Sequence, residues 1–148
     1  MSALVSYLQD TLRVGDICVE GDLVRVGTAL TEAMVNAMDH GNLELDSELR
    51  GQDGDAYYEE SEKRRKMSPY QERCVFVTST VTRTEAVFTI RDEGPGFDPS
   101  TLPDPTDPEN LARPHGRGLT LIRTFMDIVS FNETGNEVTM YKYARMES

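Results

Sequence analysis

The stretch Leu30-Thr31-Glu32-Ala33-Met34-Val35-Asn36-Ala37-Met38-Asp39-His40-Gly41-Asn42 sets polar groups into an otherwise apolar helical pattern. Glu32 and Asn36 are four residues apart, so on a helix they stack on one face, and His40 continues the line. A carboxylate and an amide placed together on such a helix need partners if they are buried. A magnesium ion with its waters would supply them, because Mg²⁺ prefers oxygen and takes few protein ligands beside substrate phosphates. On that reading the Asn36 carbonyl is a metal ligand and Glu32 is a general base on a hydroxyl or water. The alternative is an exposed polar stripe, which this segment alone favours.

Working outward, Leu4, Val5, Leu8 and Leu12 recur at helical spacing up to the break at Gly15-Asp16. The helix that carries Glu32 is expected to start near Asp22 as N-cap. Its stripe is Leu23, Val26, Leu30, Ala33 and Ala37, with Gly41 in the left-handed position past its end. Residues 43–73 turn charged and polar. Glu59, Glu60 and Glu62 each precede Lys63, Arg64 and Lys66 by four, which predicts a solvated helix over 55–67 that stops at Ser68-Pro69. Such a face carries no chemistry of its own.

Two runs rich in Val, Thr, Phe and Ile, 74–81 and 86–92, read as strands joined by a turn at Thr82-Arg83-Thr84-Glu85. Between Glu93 and Gly118 lie six of the seven prolines and four glycines, the composition of a long loop acting as a lid or binding segment. A third apolar helix is expected over 117–127, then strands 129–132 and 137–143 around Thr134-Gly135-Asn136. The order α-α-α-β-β-loop-α-β-β predicts an α+β fold, a two-layer sandwich of helices on a mainly antiparallel sheet.

Two further segments carry chemistry. In Ile90-Arg91-Asp92-Glu93-Gly94-Pro95-Gly96-Phe97, Asp92 shares strand parity with Phe88 and Ile90, so its carboxylate is aimed where apolar residues point. It needs a donor, and the exocyclic amine of adenine is one. Gly94 and Gly96 remove side chains where a flat base must approach the backbone. A plain strand-ending turn is the alternative. In His115-Gly116-Arg117-Gly118-Leu119, glycines open a helix, and its free N–H groups form a phosphate cradle. There is no GxxxxGK[ST], so this is not a P-loop.

The formal net charge of -11 argues against nucleic acid and anionic membrane as partners. Cys18 and Cys74 lack metal-type or CxxC spacing and read as thiols in a reducing compartment. No run approaches the roughly 18 apolar residues of a membrane span, and Met1-Ser2-Ala3-Leu4-Val5 lacks a basic signal region. The expectation is a soluble cytoplasmic protein. Its 38% hydrophobic and 28% charged residues suit one domain over 1–148, with a charged insertion at 43–73.

In this order the three segments resemble the GHKL superfamily of ATPases, with the histidine-kinase-like (Bergerat) fold. Glu32-x-x-x-Asn36 with Ala37, His40 and Gly41 resembles the N box; Asp92-x-Gly94-x-Gly96 resembles the first glycine box, and Gly116-x-Gly118 the second. The short form, with Gly96-Phe97-Asp98-Pro99 and then Gly116-Arg117-Gly118-Leu119, is most similar to the anti-sigma-factor serine kinase branch. The resemblance implies ATP with Mg²⁺ on Asn36, Glu32 as general base and Asp92 on the adenine amine. It also implies a nucleotide site that includes His40, Gly94, Gly96, Gly116, Arg117, Gly118 and Leu119, a lid over 97–116, and Arg113 reaching the terminal phosphate.

The implied reaction is transfer of the γ-phosphoryl group to a serine of an anti-anti-sigma partner, with a sigma factor as a further partner. An ATP-gated binding module without transfer, the catalytic half of a split histidine kinase, and plain ATP hydrolysis are the alternatives. Two departures stand out. Where the family carries Gly-Thr before the last strand, this chain has Gly135-Asn136, so Asn136 or Thr139 would hold Asp92. The sequence also opens on a helix where a leading strand is expected, a strand tied to dimerisation in that branch. That leaves open a homodimer, and whether the chain is one domain of a longer protein.

Overall fold

The computed structural model describes residues 1–46, 54–98 and 117–145. Helices α1 (Ser2–Val14) and α2 (Glu20–Val35) form where the apolar residues recur every third or fourth position. α1 buries Val5, Leu8 and Leu12; α2 buries Leu23, Val26, Leu30 and Ala33. Directly after α2 the chain widens into a π-helical segment, Asn36–Asn42. Next come α3 (Gly54–Arg65) and a 3₁₀ turn at Tyr70–Glu72. Strands β1 (Phe76–Val81) and β2 (Glu85–Arg91) follow, then α4 (Arg117–Phe125), β3 (Ile128–Phe131) and β4 (Glu137–Tyr143).

The four strands form an antiparallel sheet in the order β1-β2-β4-β3. Ala86, Phe88 and Ile90 of β2 and Val138 and Met140 of β4 share one face and enter a single core with α1, α2 and Ile122 of α4. That is the expected α+β sandwich, with period-2 burial on strands meeting period-3.6 burial on helices. Among the described residues no helix is long and apolar enough to cross a membrane.

Three expectations are corrected. α2 starts at Glu20 after extended Val19, not at Asp22. Asp22 is instead buried, with Arg25 Nη1 at 3.1 Å and Arg145 Nε at 2.9 Å, two cations that make its burial tolerable. Gly41 lies inside the π-helical segment and has no positive φ; among the described residues the left-handed glycines are Gly96 (+77°) and Gly135 (+80°). Finally, α3 is more than a solvated face. Its Tyr57 is buried with Leu43, Leu45 and Tyr70 in a second, small apolar cluster. The Arg64 and Arg73 guanidinium groups lie 5.4 and 5.3 Å from the Tyr70 ring centre.

Candidate functional site

The end of β2 and the π-helical segment meet around one carboxylate. Asp92 continues the buried parity of Phe88 and Ile90 and is itself buried. Its Oδ1 accepts the Gly94 N–H at 2.8 Å, and among the described residues Oδ2 accepts no hydrogen bond. Burial pushes this carboxyl up from its ordinary value, opposed by the Gly94 N–H and by the Arg73 guanidinium. The carboxylate rests where a Cβ on Gly41 would stand, and a Cβ on Gly94 would strike the Gly41 carbonyl. Glycine at 41 and 94 is therefore required by close approach of the two segments, not by a turn.

Asn42 locks the same junction. Its buried Oδ1 accepts the Glu93 N–H at 2.7 Å, and its carbonyl accepts Arg73 Nη1 at 2.7 Å. From the other side, the Asp92 N–H donates to the Asn136 carbonyl at 2.9 Å, and Asn136 Nδ2 donates to the Asp92 carbonyl at 3.4 Å. The β3–β4 turn is pressed against the loop after Asp92. A side chain on Gly96 would meet the Thr134 carbonyl, and one on Gly135 the Phe97 carbonyl.

The other end of the site lies between α2 and α4. A Cβ on Gly118 would stand 2.7 Å from Glu32 Oε2 and 3.6 Å from Asn36 Oδ1 and Nδ2. The second glycine segment is thus packed onto the Glu32–Asn36 pair, 86 positions from Glu32 in the chain. Glu32 and Asn36 are both half-buried, and among the described residues their side chains make no hydrogen bonds. Oxygen donors so few and so placed fit a hard cation that takes its remaining ligands from phosphates and water. Leu119 follows on α4, half-buried, and Arg117 opens that helix. Gly116, Arg113 and residues 99–116 of the expected lid lie outside the described residues.

Two expected residues are engaged by other contacts. His40 lies in the π-helical segment, and its ring is engaged by residues later in the chain. Its Nδ1 lies 2.7 Å from the Leu45 carbonyl, which can only accept, so Nδ1 carries the hydrogen. The His40 ring meets Tyr57 edge-on at 6.4 Å. Thr139 pairs with Thr89 and Ser130, on the sheet face opposite Phe88 and Ile90, with its hydroxyl 3.4 Å from that of Thr89. It does not reach Asp92; Asn136 holds Asp92, and does so through the backbone.

Sequence reasoning missed Asn42 and Asn132. Asn42 had one legible signal, an amide directly after the glycine of the first segment. Asn132 had none beyond its place at a strand end.

The described residues thus bring an Asp-Gly turn, a Glu–Asn helix face and a glycine-opened helix into one site. The family model of the histidine kinase-like ATPase domain matches residues 1–142. A comparison with characterised proteins gives no match. With 142 of its 148 residues matched and the three segments assembled, the chain belongs to the histidine kinase-like ATPase domain family.

Proposed function

We propose that this ATP-binding domain is a protein serine kinase of the anti-sigma-factor type. ATP is its phosphoryl donor, Mg²⁺ its metal and a serine of an anti-anti-sigma partner its acceptor. The observation that carries the reading is the packing of Gly118 onto Glu32 and Asn36, because it sets a carboxylate and a carboxamide beside the start of a helix. Mg²⁺, when bound, offsets the charge of the β- and γ-phosphates.

The rest falls to the chain. The Asn36 carbonyl orients the metal, the α4 N-terminus offers N–H groups to phosphate oxygens, and Asp92 accepts the adenine amine. Glu32 takes the serine hydroxyl proton as the serine oxygen bonds to the γ-phosphorus. The bond from that phosphorus to the β–γ bridging oxygen breaks, and ADP leaves. A sigma factor bound by the same domain, and a homodimer as its working form, complete the proposal.

Incubation with γ-labelled ATP, Mg²⁺ and a small anti-anti-sigma domain tests it. Label should appear on a partner serine and be lost in Glu32→Gln. Labelled free phosphate without labelled protein would make the domain a hydrolase, and nucleotide bound without turnover would make it an ATP-gated binding module.

A further inference from the structure

We propose that Asn132 is a positioning residue for base selection, acting on Asp92 through the β3–β4 turn; this rests on the reading of Asp92 as the adenine acceptor. Asn132 is half-buried at the end of β3, and its side chain gathers the whole turn. Oδ1 accepts three successive N–H groups, from Gly135 at 2.8 Å, Asn136 at 3.1 Å and Glu137 at 3.3 Å. Nδ2 donates to Asn136 Oδ1 at 2.7 Å. That last bond fixes which way the Asn136 amide faces. With its oxygen held by Asn132, its NH₂ is turned to the Asp92 carbonyl, while the Asn136 carbonyl takes the Asp92 N–H.

Asp92 is therefore held by both main-chain polar groups, and the aim of its carboxylate follows from where that backbone is clamped. A carboxylate with one oxygen already spent on Gly94 has one direction left in which to meet a donor. A small rotation of the backbone would misplace it, because hydrogen bonds weaken steeply with angle. The Glu32–Asn36–Gly118 end has no bond to this turn among the described residues, so its grip on the phosphates is independent of Asn132.

Affinity of the full chain for Mg-ATP and Mg-GTP, measured by calorimetry, separates this from a purely structural role. Asn132→Ala should lower the ATP-over-GTP ratio about tenfold, most of it from weaker ATP binding. Asn132→Asp guards against loss of fold. It keeps an acceptor for the three N–H groups but cannot donate to Asn136, whose NH₂ is then free to turn to the new carboxylate and away from Asp92. Its ratio should also fall while its melting temperature stays near that of the natural chain. Equal weakening of both nucleotides in the two variants, or an unchanged ratio, would overturn the proposal. A natural chain that binds ATP and GTP alike would overturn the Asp92 reading itself, and the role of Asn132 with it.

Discussion

The two ends of the site are made of different material. Around Asp92 nearly every fixed contact involves the backbone: Gly94 on the carboxylate, Asn42 on Glu93, Asn136 on both sides of Asp92, Gly41 against the carboxylate, and glycines abutting carbonyls at 94, 96 and 135. Around Glu32 and Asn36 the groups are side chains on helices, uncommitted among the described residues, with Gly118 giving them room. A flat, uncharged base is best met by a preorganised surface. Phosphates and a hydrated cation bring their own charge and ligands, so the protein need only leave oxygens and N–H groups available. The π-helical segment joins the two: Asn36 at its start serves one end, Gly41 and Asn42 at its finish serve the other.

The sharpest way to break this contrast is at Asn36. Asn36→Ala should lower metal-dependent turnover by about 10²–10³, the effect of removing one oriented polar group from a transition-state site, and leave the melting temperature in place. Undiminished turnover would remove the metal assignment.

Asp92→Asn should act in the opposite sense, on selectivity and stability. Its amide oxygen takes the Gly94 N–H, which leaves the NH₂ facing the adenine amine, so the ATP-over-GTP preference should drop by at least about tenfold. The carboxyl is held above its ordinary value by burial, so its favourable contribution is complete below the unfolded-state value and fades as pH rises through the folded one. The amide variant should match the natural chain in acid and melt higher at neutral pH. A gap that shrinks with rising pH would contradict the buried-charge account.

Gly118→Ala should slow turnover about tenfold, because a methyl 2.7 Å from Glu32 Oε2 displaces the carboxylate that is to take the proton. Unaltered kinetics would separate α4 from the chemistry. The smallest effect on the site is expected from Tyr57→Phe. It removes the 2.8 Å bond to Asp39 Oδ2, and the other oxygen of that buried carboxylate already lacks a hydrogen bond. The variant should lose about 1–3 kcal/mol of stability with nucleotide selectivity unchanged. Altered selectivity would show that the small Tyr57 cluster reaches the base end.

Much of this was legible in the residues. Period-2 burial placed Asp92 with Phe88 and Ile90, β4 runs over Glu137–Tyr143 as expected, and the four-residue spacing of Glu32 and Asn36 survives because Asn36 only just leaves α2. What escaped depends on contacts distant in sequence. Nothing local in Asn36–Asn42 announces the wider turn, and the contacts of His40 with Leu45 and Tyr57 are made with later segments. Gly41 looked like a helix end, but its cause is a carboxylate 51 residues later. The charge pattern of α3 hid Tyr57, whose neighbours lie on both sides of residues 47–53. Asn132 was silent because one side chain closing three N–H groups is a property of the folded turn.

The most direct test of the central claim is calorimetric titration of the chain with ATP, with and without Mg²⁺. Saturable binding that strengthens when Mg²⁺ is present is the predicted result. No heat of binding at millimolar ATP under either condition would contradict it, and would leave these three segments assembled for some purpose other than holding a nucleotide.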